Sequence, residues 1–274
     1  MTDSVPGLVI RSTLTGADGT PMLNQPNYLT TAASPFSERW GGWYVTGKVG
    51  AMPHMGNLII HAGESPQFTA SAARQDMDDL PANVGQGVYL APGSDVVSLL
   101  VLTHQAELHN RITKAAYLLR GTEETVRSGR NTTTRPGNPP AAAQDLAAVC
   151  EPLVRALLFC GEVPLPSPVK GSSDFAQKFA AVGPRDSKGR SLRDLDLKTR
   201  VFTYPCSYLI YSDSFAALPA AAKEVIYQRL WDVLSGKDDS KDFAHLTATD
   251  RRAILEILRD TLPALPAYWK EAAR

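Results

Sequence analysis

The side chains best suited to chemistry in this 274-residue chain are histidines, four of which lie between positions 54 and 109. They are His54, His61, His104 and His109. A neutral imidazole ligates transition metals and haem iron, but histidines also serve as hydrogen-bonding groups inside proteins. The second role is common for a residue type of intermediate burial, so both interpretations stay open for these four residues.

Met55 follows His54 in a short loop that contains Gly56. A thioether sulfur is an axial ligand of haem iron in some proteins and also suits copper. The alternative is a turn whose methionine is buried as an apolar side chain. We therefore include Met55 with the four histidines in the set of candidate ligands.

Residues 94–120 have the pattern of an amphipathic helix that carries two of these histidines. Its apolar side is centred on Val101, Leu108, Ile112 and Leu119. At about 100° per residue, His104 lies roughly 60° to one side of that centre and His109 roughly 80° to the other. These two histidines cannot chelate one ion together, so at most one of them joins His54 or His61. Gln105 falls inside the apolar arc, and it is predicted, with Asn110, to hydrogen-bond to the ligating histidines.

Trp40, Trp43 and Tyr44 surround two glycines, Gly41 and Gly42. Three aromatic rings in this arrangement could line a pocket for a flat cofactor or a sugar. The alternative is core packing with a close backbone approach at the two glycines.

Several familiar signatures are missing from the sequence. It contains no CxxCH, Walker, GxGxxG, GxSxG or HExxH motif. The three cysteines, Cys150, Cys160 and Cys206, are interpreted as buried small residues, and Cys206 would act as a nucleophile only beside a base. The 28 basic and 28 acidic residues balance, which argues against a nucleic-acid partner, and no apolar run has the length of a membrane span.

The elements that must position these residues differ between two parts of the chain. Residues 1–93 are rich in Gly, Pro, Thr and Asn, with short strands expected at 8–10 and 44–46. Residues 94–274 are helical in pattern. We predict one domain over 1–274, mainly α, in which an irregular N-terminal layer with short strands is packed on a helical core.

Within the helical part, residue types that start or stop helices predict the boundaries. The expected helices run from Ser94 to Gly121, from Ala141 to Gly161 with a kink or break at Pro152, over 174–182, from 222 to Gly236, and from Thr247 to Pro263. A capping box is predicted at Thr247 and Asp250. The mixed-charge run 185–200 is expected to be a solvated loop with a short helix.

Six longer runs resemble the C-terminal region of poorly characterised bacterial proteins that contain a cytochrome c domain. They are SERWGGWYVTG (37–47), HMGN (54–57), THQAELHNRIT (103–113), GPRDSKGRSLRDLDL (183–197), YPCSYLIYS (204–212) and DRRAILEILRDT (250–261). The resemblance implies a redox or haem-associated setting, periplasmic or otherwise exported. Because this chain lacks CxxCH, covalent c-type haem is not expected in it. Its first residues have no signal-peptide pattern, so a cytoplasmic location is the alternative.

The leading functional hypothesis is a haem- or metal-associated module of the electron-transfer type, with a redox protein or haem-bearing domain as its partner. One alternative is a non-catalytic interaction module that accompanies a cytochrome, in which each histidine hydrogen-bonds to protein groups and the histidines do not converge. Another is an enzyme with an aromatic-lined pocket. That hypothesis requires a deep cleft with a strongly perturbed titratable group.

Overall fold

A computed structural model of the protein describes residues 5–16, 18–22, 24–58, 76–79, 93–128 and 146–270, with the backbone alone over 121–128. In these residues it contains six α-helices and two sheets of two short strands, so the predicted mainly α class is confirmed. The helices are α1 (Val96–Ser128), α2 (Leu146–Leu157), α3 (Phe175–Ala181), α4 (Asp213–Ala216), α5 (Ala220–Leu234) and α6 (Ala248–Thr261). No helix in the described ranges is both long and apolar enough to cross a membrane.

The strands are short and belong mainly to the N-terminal layer. β1 (Ile10–Thr13) pairs antiparallel with β2 (Asn27–Thr30), and β3 (Gly47–Lys48) pairs antiparallel with β4 (Lys170–Gly171). In the connection between β1 and β2, the Gly19 N–H donates to the Gly16 carbonyl and forms a turn.

Both predicted N-terminal strands are displaced along the chain, because asparagine side chains take the backbone groups that a sheet would have used. Leu8 bonds through its N–H and carbonyl to the side chain of Asn110, so β1 begins only at Ile10. Val45 bonds in the same way to the side chain of Asn57, and β3 begins only at Gly47. Each asparagine thus replaces a neighbouring strand.

The first helix differs from its predicted bounds at both ends. Asp95, not Ser94, caps it, because one Asp95 oxygen accepts the N–H groups of Val97 and Ser98. The other oxygen accepts from the N–H and hydroxyl of Ser173, which fastens the start of α1 to the segment before α3. The helix also continues through Gly121 to Ser128, since one glycine costs only about 1 kcal/mol in a helix interior.

Pro152 lies inside α2 and does not divide it, contrary to one of the predicted outcomes. A proline in a helix interior costs about 3 kcal/mol. That cost is offset by the apolar face of α2, which buries Leu153, Val154 and Leu157 in the main core. The helix ends at Leu157, earlier than the predicted Gly161.

The C-terminal helices follow their sequence signals closely. Thr247 and Asp250 form the predicted capping box at the start of α6. α3 fills the predicted segment between Asp174 and Val182, and α5 ends two residues before Gly236, which has a positive φ of 83°. The run 185–200 contains no helix, and it is not simply solvated, because the carboxylate of Asp186 is buried in turns with Lys188 and Arg190.

Two hydrophobic cores meet along α1. The larger core joins the middle of α1 to α2, α5, α6 and the segment 202–218. The smaller core joins the first turn of α1 to the N-terminal layer through Phe36, Trp40, Val45 and Met52. The irregular layer therefore packs on the long helix as predicted, while the assignment of 1–274 to one domain stays a prediction.

Candidate functional site

His104 is the predicted site residue with the most complete set of partners. It lies on α1 and is only 4% exposed. Its Nδ1 is 2.8 Å from a carboxylate oxygen of Glu162, and its Nε2 is 2.8 Å from the hydroxyl of Ser207. Both ring nitrogens are therefore occupied by protein groups that come from two distant segments.

The backbone after α2 is shaped around this imidazole. Phe159 has a positive φ of 60°, which is rare for a non-glycine residue. That conformation places its ring parallel to the His104 ring, with centroids 4.4 Å apart. Gly161, with a φ of 82°, then turns the chain so that Glu162 reaches Nδ1. The rings of Phe202 and Tyr208 lie 5.3 and 6.3 Å away and complete an aromatic enclosure.

Ser207, His104 and Glu162 stand in the order of a nucleophile, a base and an acid. With Glu162 ionised and the ring neutral, Nδ1 would donate to the carboxylate and Nε2 would accept the serine hydroxyl proton. Ser207 is completely buried, however, and it also accepts the N–H of Leu209. A hydroxyl enclosed in this way is not accessible to a substrate, so the three residues act as a polar link between elements.

A narrow cleft lies beside the imidazole, between the N-terminal layer and the end of α2. Its walls include His104, Glu107, Cys160 and Glu162, but Ser207 is not among them. Burial raises the pKa of Cys160 to about 11, so this thiol stays protonated near neutral pH. The cleft therefore presents carboxylates and an imidazole without a thiolate nucleophile.

Arg39 places a buried positive charge in the same region. Its guanidinium donates to the carbonyls of Ala32 and Ser34 and lies 4.3 Å from the centre of the Phe36 ring. Burial lowers the pKa of Arg39 to about 10, while the negative charges of Glu162 and Glu107 act in the opposite direction. The N-terminal layer is thus held electrostatically as well as by packing.

His54 and Met55 lie in the interior of the N-terminal layer. His54 is 2% exposed, accepts the Gly56 N–H through Nδ1, and packs edge-on against Trp40 at 5.4 Å. The Met55 sulfur is completely buried and accepts the Ser12 hydroxyl at 3.7 Å. Both side chains are therefore embedded among protein groups in this arrangement.

The predicted aromatic pocket is largely a packing arrangement. Trp40 is 2% exposed and has a φ of 67°, which sends its ring into the smaller core. Trp43 is half-buried and donates to the Arg11 carbonyl, and Tyr44 is also half-buried. The expected close approach at the glycines is confirmed: a Cβ on Gly41 would lie 3.0 Å from the Ser12 hydroxyl and the Thr13 nitrogen.

The other polar residues of α1 do not surround His104 as predicted. Gln105 is exposed, although its side chain accepts the Tyr208 hydroxyl at 3.3 Å, and His109 is exposed as well. Asn110 holds the backbone of Leu8. The predicted apolar arc is correct, because its residues are all buried in the larger core: Val101, Leu108, Ile112 and Leu119. α1 is also covered on a second side, where Thr103 and Ala106 are buried beside the N-terminal layer. Gln105 and His109 lie on the exposed stripe between the two covered sides.

No group of three or more His, Cys, Asp or Glu side chains that could hold a metal ion occurs among the residues the structure describes. His61 lies outside them. Ligation of a metal or haem iron by His54, Met55 and His61 therefore stays a prediction, and the two α1 histidines face different surroundings.

Two of the three cysteines are buried, as the sequence predicted. All are free thiols; Cys150 and Cys206 are buried, and Cys160 is half-buried. Burial raises the pKa of Cys150 to about 11 and that of Cys206 to about 12. None therefore has the lowered pKa of a reactive thiolate.

Sequence reasoning missed Glu162, Ser207 and Phe159, which build the surroundings of His104. Glu162 and Ser207 are 58 and 103 residues from it in sequence, so periodicity could not connect them. The only local signal was a glycine one residue before Glu162 at the end of a predicted helix.

Comparisons with known proteins gave no relative: no family model matches this chain, and neither a curated protein nor a solved structure matches it. The resemblance to cytochrome c domain proteins is untested by these comparisons.

Proposed function

We propose that this chain is an interaction module without chemistry of its own, which accompanies a haem-bearing or other redox partner. The observation that carries the proposal is that both nitrogens of His104 bond to protein side chains, Glu162 and Ser207. A histidine held in this way joins three elements and has no nitrogen left for a metal.

Two of the other described histidines, His245 and His54, are consistent with the same role. His245 bonds to the carbonyl of Leu158 through Nε2, and His54 accepts the Gly56 N–H through Nδ1. The nature of the partner rests on the sequence resemblance, as does a location outside the cytoplasm.

The proposal is tested by adding haemin, Zn²⁺ or Cu²⁺ to the purified chain. We expect no stoichiometric binding by optical titration or calorimetry. The tagged chain, cross-linked in its native host, should then be recovered in a complex with a haem absorbance spectrum. Stoichiometric binding of haem or metal to the isolated chain would overturn the proposal, as would recovery of complexes that contain no redox protein.

An enzymatic function has one specific observation in its favour, the order of Ser207, His104 and Glu162. It predicts that a fluorophosphonate probe forms a covalent bond to the Ser207 oxygen and releases fluoride. Because Ser207 is completely buried, we expect no labelling of the folded protein. If the probe labels the parent protein but neither Ser207→Ala nor His104→Gln, the chain is a hydrolase and the proposed interaction module is wrong.

A further inference from the structure

An apolar shelf with basic residues lies where the N-terminal layer meets α1. We define the shelf as Leu8, Val9 and Leu29 together with Arg111 and Lys114, which line one shallow groove. The three apolar side chains are 53%, 55% and 47% exposed. Leu8, Val9 and Leu29 are thus among the most exposed large apolar side chains of the described chain, and they share one groove.

The geometry of β1 and β2 explains why two of these side chains, Val9 and Leu29, face solvent. Leu29 stands opposite Arg11 in the antiparallel pair, and Val9 is two residues from Arg11 on the same face. The other face carries Ser12 and Thr30, which are buried. The exposed face therefore combines apolar side chains with a further basic residue.

Three charged side chains line this groove, namely Arg111, Lys114 and Glu107, so two of the three are positive. Arg111 is 39% exposed and forms an ion pair with Glu107 at 3.7 Å. Glu107 is already engaged, because its second oxygen accepts the Ala32 N–H at 3.0 Å. Arg111 and Lys114 also border a second groove, between α1 and α2, whose walls include Val149 and Pro152. The two basic residues thus lie between two apolar grooves.

We propose that the shelf binds a protein segment in which carboxylates flank apolar side chains, and this inference rests on the proposed interaction function. Charge complementarity selects this occupant: carboxylates would meet Arg111 and Lys114 while apolar side chains cover Leu8, Val9 and Leu29. A two-fold dimer with its axis through the groove would bring Arg111 and Lys114 of the two copies together. An anionic membrane is recognised by clusters of about four to eight basic residues on a surface, more than this groove presents.

The backbone of the shelf is fixed independently of its side chains. Asn110 holds the N–H and carbonyl of Leu8, at 2.8 and 2.7 Å. Replacing the exposed side chain of Leu8 or Leu29 therefore removes apolar contact area while leaving these bonds in place. This makes the shelf suitable for mutation without unfolding.

The test uses a random dodecapeptide display library selected against the purified chain. Enriched peptides should combine carboxylates with apolar residues and bind with micromolar affinity that falls as salt is added. Binding should weaken by about ten-fold or more in Arg111→Glu/Lys114→Glu, where attraction becomes repulsion, and in Leu8→Ser/Leu29→Ser.

Matched control variants change surface charge or exposed apolar area at positions outside the shelf. Lys198→Glu/Lys241→Glu makes the same change in net charge at exposed positions, and Val182→Ser removes an apolar side chain that is 58% exposed. Both should bind within about two-fold of the parent, since surface substitutions away from a site have small effects. Thermal midpoints of all variants are compared to confirm folding.

The proposal is overturned if no peptide is enriched, if enriched peptides lack carboxylates, or if the shelf variants bind as tightly as the parent. Shelf-dependent binding to phosphatidylserine vesicles without peptide binding would assign a membrane instead. Shelf-dependent dimerisation in sedimentation would assign a second copy. If a redox partner is recovered from the host equally well with the shelf variants, the proposed interaction function is supported, and only the assignment of the shelf as its binding surface is wrong.

Discussion

The N-terminal layer and the C-terminal helices satisfy their buried backbone groups in different ways. In α6, helical hydrogen bonds and a local capping box do so within a few residues. In the N-terminal layer, the amides of Asn57 and Asn110 bond to the backbones of Val45 and Leu8, at separations of 12 and 102 residues. In a region without regular structure, buried backbone groups thus depend on single side chains for their hydrogen bonds. In a helix, the backbone groups bond to one another along the whole element.

The largest effect is expected at the link between the two regions. His104→Ala leaves the buried groups of Glu162 and Ser207 without their partner and opens a space under the Phe159 ring. We expect a loss of about 3–5 kcal/mol in the free energy of unfolding, measured in urea. His109→Ala on the exposed side of the same helix should change it by less than about 0.5 kcal/mol. Equal effects of the two substitutions would show that His104 is not a structural link.

The second-largest effect is expected at Asn57, whose side-chain amide holds the backbone of the N-terminal layer. Asn57 has a φ of 63° and bonds to both backbone groups of Val45, so Asn57→Ala loses two buried bonds and adds strain. We expect a loss of about 3 kcal/mol. Asn57→Gly removes the strain and should cost about 1 kcal/mol less. If the two variants lose the same free energy of unfolding, the left-handed backbone at this position does not strain an alanine, and the prediction is wrong.

The corresponding substitution in the helical region should be milder. Thr247→Ala removes the N-cap of α6, for which we expect a loss of about 1 kcal/mol in unfolding experiments. The remaining helix keeps its buried face, including Ile254 and Leu258. A loss as large as that of Asn57→Ala would contradict the contrast between the two regions.

An effect smaller than that of Asn57→Ala is also expected from Met55→Leu, which conserves apolar volume. We expect less than about 1.5 kcal/mol, because only the contact with the Ser12 hydroxyl is lost. The measurement is paired with a haemin titration of both proteins. A change in haem absorbance that depends on Met55 would make it a ligand rather than a packing residue.

The same contrast explains what the sequence could predict. Local signals placed the C-terminal helices well: Thr247 with Asp250, Gly236, and the limits near Asp174 and Val182 all correspond to observed helix ends. The N-terminal strands were shifted because distant asparagines took their backbone groups. The partners of His104 were unpredictable for the same reason, since each belongs to a segment brought close only by the fold.

The position of Gln105 shows a further limit of periodicity. An apolar arc locates the buried side of a helix that packs on one surface. α1 is covered on two sides, by the C-terminal core near Leu108 and by the N-terminal layer near Ala106. Its exposed stripe is therefore narrow, and it includes Gln105 and His109.

The most direct test of the account is the ¹⁵N NMR spectrum of the His104 ring, assigned by comparison with His104→Gln. We predict a protonated Nδ1 bonded to Glu162 and an Nε2 that accepts from Ser207, with resonances unchanged by one equivalent of haemin or Zn²⁺. Stoichiometric broadening or displacement of the His104 resonances by either addition would contradict the account.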